Sequence, residues 1–189
     1  MYDEVRSSGA DILSVAVDLQ GAEKARPFHD AAGARFTTVV DETNSLAELF
    51  GFKAVPNGML IDEEGKLAYK RFSGFDIRKP EEAEAVRMFL ADGDPAGGVL
   101  ARDPAGGATR ESASRDGVRV ESMQYFRRGL ALLRAGDRDR AVSVWREGIA
   151  AEPDNWLMRK QLWALEHPEK FYAGPVDFAW QKTQIDAGR

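Results

Sequence analysis

Residues 51–62 read GFKAVPNGMLID, and this stretch decides how the first half of the chain folds. It begins at the end of a predicted helix and leads through Pro56 into the apolar run GMLI at residues 58–61, which indicates a buried strand. An acidic turn at residues 62–65 and a second strand candidate at residues 67–72 follow, so the pair predicts a β-hairpin. A proline in front of a strand removes one ladder donor, which places Pro56 at the start of that strand.

Two further strands are predicted before this stretch. Residues 12–17 and residues 36–40 are apolar or β-branched runs, which predict strands, and each run is followed by an aspartate. A helix over residues 21–32 lies between them. Pro27 falls inside it, so this helix either begins near Arg26 or kinks at the proline.

Two more helices complete the first half. One is capped by Thr43 or Asn44 and runs to Phe50, and the other covers residues 80–91. The glutamates at residues 81–82 favour the helix start through the dipole, and we expect both to be solvated. The apolar positions of the helices over residues 21–32 and 80–91 are predicted to lie in the core: Ala22, Ala25, Phe28, Ala32, Ala85, Met88 and Phe89.

Residues 47–65, AELFGFKAVPNGMLIDEEG, resemble the second half of a thioredoxin-fold redoxin. The most similar types are the TlpA/ResA-like thiol–disulfide oxidoreductases and their AhpC/TSA peroxiredoxin relatives, and the order of elements matches from about residue 11 to residue 90. The resemblance implies a thioredoxin-like α/β domain with a cis proline at Pro56. It also implies that the backbone of Val55 borders a groove for the thiol substrate.

The chain has no cysteine, which excludes disulfides, thiolate metal sites and thiol catalysis within these residues. By the resemblance, residues 2–6 correspond to the tail of the family's Cys-x-x-Cys helix, so the first strand and that helix are missing. Either the chain is truncated at its N-terminus or it is a degenerate member of the family. We favour truncation because the rest of the pattern is regular. We predict no catalytic residue, no cofactor and no metal ligand.

Composition changes at residue 92. Residues 92–117 contain the pentapeptide DPAGG twice, at residues 94–98 and 103–107, and almost no large apolar residue. Such a segment cannot bury enough surface to offset its ordering entropy. We predict a flexible linker between a first domain at residues 1–91 and a second at residues 118–189.

The second domain resembles a tetratricopeptide repeat (TPR) over residues 122–155, a unit of about 34 residues. Arg128 and Gly148 depart from the pattern, and we expect Gly129 and Ala141 to be small residues where two antiparallel helices approach closely. The resemblance implies a protein-interaction module whose packing positions are Tyr125, Gly129, Leu132, Ala141, Trp145 and Pro153.

A single repeat cannot bury its own apolar face, so something else must cover it. A third helix is predicted from Trp156 to the stop at Pro168, and the tail after it is rich in aromatic residues. We predict that this tail folds back over the helices or docks on the first domain. The alternative is an aromatic patch that binds a partner.

Charge and hydropathy exclude several classes of function. The net charge is −5 and the basic residues are scattered, which argues against nucleic-acid binding. No apolar run approaches the ~18 residues of a membrane span. The sequence does not determine the compartment. The chain as given is predicted to be cytoplasmic, and the alternative, if the true N-terminus is missing, is an exported protein. His29 and His167 are isolated, and we interpret His29 as a surface residue and His167 as structural.

The sequence therefore predicts a two-domain protein: an incomplete thioredoxin-like α/β domain and a small all-α TPR-like domain. By resemblance its function is that of a thiol–disulfide oxidoreductase or antioxidant redoxin fused to a protein-interaction module, with no redox activity expected without cysteine. Whether it is an enzyme stays open. A disulfide or peroxide substrate requires upstream cysteines. The alternative is a non-enzymatic adaptor that binds a protein partner.

Overall fold

The structure, a computed structural model, describes residues 1–92 and 112–188, here called the α/β half and the helical half. Helices combine with small β-sheets, in agreement with the predicted α/β class at that level. The elements of the α/β half are α1 Tyr2–Ser7, β1 Leu13–Val17, α2 Ala22–Ala31, β2 Thr37–Asp41, α3 Ser45–Phe50, β3 Gly58–Ile61, β4 Leu67–Arg71 and α4 Pro80–Asp92. Those of the helical half are α5 Ser112–Arg134, α6 Arg138–Ala151, α7 Trp156–Glu166, α8 Glu169–Tyr172 and α9 Phe178–Asp186.

The described strands form two separate pairs. β1 pairs in parallel with β2, from Leu13 opposite Thr37 to Val17 opposite Asp41. β3 and β4 form the antiparallel hairpin that the sequence predicts, with an irregularity after Leu60. Since no described strand joins β1 to β3, each keeps one edge without a strand partner in this part of the chain.

The cap of α3 differs from the prediction. Asn44 occupies the N-cap position in a left-handed conformation, but its side chain makes no capping hydrogen bond. The capping hydrogen bonds come from Asp41 instead, whose carboxylate accepts from the backbone N–H groups of Thr43, Ser45 and Leu46 at 2.9–3.1 Å. Burial alone raises the pKa of Asp41, but these hydrogen bonds together outweigh burial, so the pKa of Asp41 lies below its ordinary value.

The predicted core positions of α2 and α4 are partly wrong. No residue of α2 is buried, and Phe28 is 40% exposed. In α4, Met88 is 39% exposed, whereas Val86 is buried. Pro27 lies inside α2 rather than at its start. Each sheet that the described strands form has only two strands, which offer too little surface to cover these helices completely, so their apolar spacing overstates their burial.

The prediction that Glu82 is solvated is also wrong, because this residue is only 2% exposed. Tyr69 on β4 donates a 2.5 Å hydrogen bond to Glu82 Oε2, and Arg71 Nε lies 3.4 Å from Glu82 Oε1. Burial and the neighbouring carboxylate raise the pKa of Tyr69. The start of α4 is thus tied to β4 through a buried carboxylate, where the sequence predicted a solvated one.

The contact between α5 and α6 confirms the expected close approach at Gly129. A Cβ at this position would overlap the indole of Trp145, which is 1% exposed. The Trp145 Nε1 group donates to the carbonyl of Phe126 at 3.1 Å. Ala141 is completely buried. The core around this contact contains Met123, Phe126, Leu130, Trp145, Met158 and Leu162.

The predicted linker at residues 92–117 is only partly described. Residues 93–111 lie outside the described residues. Residues 112–117 belong to α5, so the helix begins before the predicted start at residue 118. No proline occurs between Pro104 and Pro153, and nothing in the backbone prevents this earlier start.

The aromatic tail folds back, as predicted. Phe171 is buried against α7, and the rings of Trp163 and Trp180 meet edge to face with centroids 5.6 Å apart. Tyr172 reaches the α/β half, where its hydroxyl donates to Asp18 at 2.9 Å. Both predicted destinations are therefore used. Phe178 stays 69% exposed.

Candidate functional site

Residues 53–57, here called the proline segment, precede β3. The Val55–Pro56 peptide bond is cis, as the resemblance implies. The carbonyl of Pro56 accepts hydrogen bonds from the backbone N–H groups of Gly74 at 2.9 Å and Phe75 at 3.2 Å. The Val55 side chain is 42% exposed. The segment is thus fixed by its backbone while the side chains of Val55 and Pro56 are exposed.

Asn57 fixes the segment from within. Its amide nitrogen donates to the carbonyl of Ala54 at 3.0 Å, and its amide oxygen accepts from the N–H of Ser73 at 2.8 Å. Next to it, a Cβ on Gly58 would overlap the ring of Phe75. Both sides of the hairpin therefore determine where the proline segment lies.

The helical half holds the other end of the segment at Lys53. The carbonyl of Lys53 accepts from the N–H of Leu157 at 3.1 Å. Its ammonium lies 2.7 Å from Glu152 Oε1 and 3.0 Å from Asp154 Oδ2, and Glu152 is only 3% exposed. Burial alone lowers the pKa of Lys53, but the hydrogen bonds to these carboxylates raise it above its ordinary value.

An apolar cluster that both halves share lies beneath the segment. The ring centroids of Phe52 and Phe72 are 5.5 Å apart. β1 contributes Val17, β3 contributes Met59, and α7 contributes Leu157. The cluster consists of Ala47, Phe52 and Leu157, with Val17, Leu46, Phe50, Met59 and Phe72 packed around them.

The helical half also covers the carboxyl end of β1. Gln161 on α7 accepts from the N–H of Leu19 at 3.1 Å and donates to the carbonyl of Val17 at 3.0 Å. Burial raises the pKa of Asp18, to which the Tyr172 hydroxyl donates. The carboxyl ends of parallel strands are the usual ligand-binding edge of an open α/β sheet. At β1 this edge is occupied by side chains of the chain itself.

The predicted site residues fall into two groups. Val55 and Pro56 form the centre of the proline segment. The second group, the six predicted TPR packing positions, lies within the helical half. None of these six residues contacts the proline segment in the interactions described above, where the segment meets the helical half through Glu152, Asp154 and Leu157. Of this second group, Gly129, Ala141 and Trp145 are buried, Tyr125 and Leu132 are half-buried, and Pro153 is exposed.

Sequence reasoning missed the residues that join the halves. Lys53 and Asp154 are 101 positions apart, and Val17 and Gln161 are 144 apart. Periodicity reports only which face of an element is apolar, so it carries no signal for such pairs. A correlated substitution between the two positions would be the signal that reveals them.

No family model matches this sequence, and no curated protein or solved structure matches it either. Within residues 1–92 and 112–188, no group of three or more acidic or histidine side chains is placed to hold a metal ion. None of the helices in the same ranges is long and apolar enough to cross a membrane.

We expect Lys53 and Glu152 to be coupled by about 1–2 kcal/mol in a double-mutant cycle. Lys53→Met and Glu152→Gln each remove one charge, and the buried carboxylate loses its cation in the first variant. Urea unfolding of the wild type, both single variants and the double variant measures the coupling. The surface pair of Asp76 and Arg78, whose guanidinium side chain is 87% exposed, is the matched control, for which we expect under about 0.5 kcal/mol. Equal coupling in the two cycles would contradict a stabilising role for the ion pair between Lys53 and the buried Glu152.

Proposed function

We propose that this chain is a non-catalytic protein-interaction adaptor built on a thioredoxin-like α/β half and a TPR-like helical half. The observation that carries the proposal is the proline segment itself. It is fixed from both halves, yet the side chain of Val55 remains 42% exposed. An apolar side chain on a rigid backbone is suited to binding because little conformational entropy is lost when a partner docks.

The chemistry of the segment supports binding rather than catalysis. Thiol–disulfide exchange requires a thiolate, and the 189 residues contain no cysteine. The ammonium of Lys53 is engaged by two carboxylates, and the amide of Asn57 is engaged by Ala54 and Ser73. The polar side chains of the segment thus serve to hold it in place.

The partner we propose is an extended polypeptide that lies beside β3. One edge of β3 pairs with β4, and no described strand pairs with the other. Ile61 at the end of β3 is 55% exposed, in addition to Val55. A free strand edge provides backbone donors and acceptors, and neighbouring apolar side chains provide affinity, as in recognition by β-augmentation.

A permanently unfolded chain tests this proposal. We expect fluorescently labelled, reduced and carboxymethylated lactalbumin to bind, and Val55→Glu to weaken binding roughly tenfold because the new charge is desolvated without a partner. Phe178→Glu introduces the same charge at another exposed apolar residue and should leave the affinity unchanged. Fluorescence anisotropy measures both. Equal weakening by the two variants would reject a site at Val55.

The absence of catalysis has its own measurement. With dithiothreitol as reductant, the protein should reduce insulin disulfides no faster than buffer does. A rate above that background would overturn the non-catalytic proposal, whatever the lactalbumin result.

A second candidate is a thiol–disulfide oxidoreductase whose cysteines lie outside these residues. The order of elements supports it: β1, α2 and β2, then Val55–Pro56, then the hairpin and α4, with one edge of β1 and one of β3 that no described strand pairs with. Translating the DNA in frame upstream of Met1 tests this candidate. A strand-like run followed by Cys-x-x-Cys, or by a single peroxiredoxin-type cysteine, would favour it, and a stop codon or unrelated sequence would exclude it.

A further inference from the structure

The strands β1 and β3 each have a lateral edge that no described strand pairs with. No residue of either strand is buried, whereas their partners β2 and β4 contain the buried residues Asp41 and Tyr69. Strands at the centre of a parallel α/β sheet are normally covered on both faces. β1 and β3 are therefore more accessible than strands inside a complete sheet.

The helix α7 holds one end of β1 close to the segment that leads into β3. Gln161 donates to the carbonyl of Val17, the last residue of β1, at 3.0 Å. One turn earlier, the N–H of Leu157 donates to the carbonyl of Lys53, in front of β3, at 3.1 Å. A helical turn advances about 5.4 Å, so both contacts lie on the same short length of α7. β1 runs towards α7 and β3 runs away from it, so the two strands have opposite directions.

β1 and β3 also share an apolar cluster. Val17 of β1 and Met59 of β3 both pack on the buried residues beneath the proline segment. At the other ends of these strands, Leu13 is 63% exposed and Ile61 is 55% exposed. Side chains two positions apart lie on the same face of a strand, so Leu13 shares its face with Val17. The space between the two strands is thus closed at α7, and both strands carry an exposed apolar residue at the open end.

The outer edges of β2 and β4 lack this arrangement. They too have no partner among the described strands, but neither β2 nor β4 contributes a residue to the shared cluster. The two edges that converge on one cluster and one helix turn are those of β1 and β3.

We infer that β1 and β3 are the walls of a slot, here called the β1–β3 slot, which takes one extended strand of the partner polypeptide. The inference rests on the proposed adaptor function and extends that site from the edge of β3 to a second edge on β1. An extended backbone can pair with a wall on each side, whereas the backbone groups of a helix are bonded within the helix.

The geometry of the walls specifies the bound strand. At the usual spacing of about 4.8 Å on each side, the walls lie about 10 Å apart when the strand is in place. Because the walls have opposite directions, the strand is parallel to one of them and antiparallel to the other. Apolar residues at alternate positions of the strand would cover Leu13 and Ile61.

Hydrogen exchange measured by mass spectrometry tests the slot, with reduced and carboxymethylated lactalbumin as the bound polypeptide. We expect binding to slow the exchange of about two amides in residues 13–17 and about two in residues 58–61. Alternate N–H groups of a strand point to opposite edges, so roughly half of the amides in each wall face the slot. Residues 37–41 of β2 are the internal control and should exchange equally with and without lactalbumin.

Leu13→Gln provides an independent measurement, because a partner that paired with β3 alone would not reach Leu13. We expect this variant to bind lactalbumin roughly fivefold more weakly in fluorescence anisotropy, since an apolar contact is lost and the new amide is desolvated. Phe178→Gln on α9 makes the same kind of change at another exposed apolar residue and should leave the affinity unchanged. Circular dichroism checks that both variants are folded.

Three outcomes would overturn the slot: slower exchange in only one of the two walls, slower exchange in residues 37–41 as well, or equal affinity of the wild type and Leu13→Gln. The adaptor site at Val55 survives any of these if Val55→Glu still weakens binding. If lactalbumin does not bind, or if Val55→Glu has no effect, the adaptor proposal fails and the slot fails with it.

Discussion

Trp145→Ala is expected to lower the free energy of unfolding by about 4 kcal/mol, the largest effect of any single change proposed here. Trp145 is 1% exposed and packs against Gly129 where α5 and α6 approach most closely. Its removal leaves a cavity that the helix backbones cannot fill. It also deprives the carbonyl of Phe126 of its indole donor. Urea denaturation followed by circular dichroism measures the change.

Phe178→Ala is the control for this prediction. It also removes a large aromatic side chain, but Phe178 is 69% exposed, so we expect a change within about 0.5 kcal/mol. A loss below about 2 kcal/mol for Trp145→Ala would mean that the α5–α6 contact is not the centre of the core.

The same experiment bears on whether the two halves unfold together. Leu19 of the α/β half packs against the core that contains Trp145, and Leu157 of the helical half is buried in the cluster beneath the proline segment. Each half thus completes a core of the other. Probes placed in each half should report the same loss of unfolding free energy in Trp145→Ala. A loss reported only by the probe in the helical half would show that the two halves unfold independently.

Local patterns in the sequence predicted much of the fold. The third helix, predicted from Trp156 to the stop at Pro168, is α7 Trp156–Glu166, and the hairpin after Pro56 is β3 and β4. The close approach at Gly129 could also be predicted, because a glycine opposite a tryptophan in a helical hairpin has a steric reason to be there. These features depend on residues within one or two elements of each other, which periodicity and turn chemistry describe well.

The errors have a common physical cause, since they concern what covers an element. Phe28 lies on a face with helical apolar spacing but is 40% exposed, because the described sheet behind it has only β1 and β2. Glu82 was expected in solvent, but a tyrosine and an arginine from β4 surround it. The ion pair of Lys53 needs Glu152, the residue that follows the distant helix α6. Burial and pairing between distant elements are properties of the assembled fold, and a single sequence does not encode them locally.

Glu82→Ala is expected to lower the free energy of unfolding by about 3 kcal/mol. The carboxylate is 2% exposed, so its loss leaves the hydroxyl of Tyr69 without its acceptor in a buried site. Arg71 loses its ion pair at the same time. Glu82→Gln keeps an acceptor for the hydroxyl but removes the charge, and we expect about half of that loss, since charge-assisted hydrogen bonds are roughly twice as strong as neutral ones.

Glu81→Ala provides the matched control, because Glu81 is the preceding residue in the same first turn of α4 and is exposed. Both glutamates favour the helix dipole, so this variant isolates that contribution, about 0.5 kcal/mol. The difference between the two alanine variants is then the contribution of the buried network with Tyr69 and Arg71. Equal losses at the two positions would show that Glu82 acts only through the helix start, as the sequence alone predicted, and that the contact between β4 and α4 does not stabilise the α/β half.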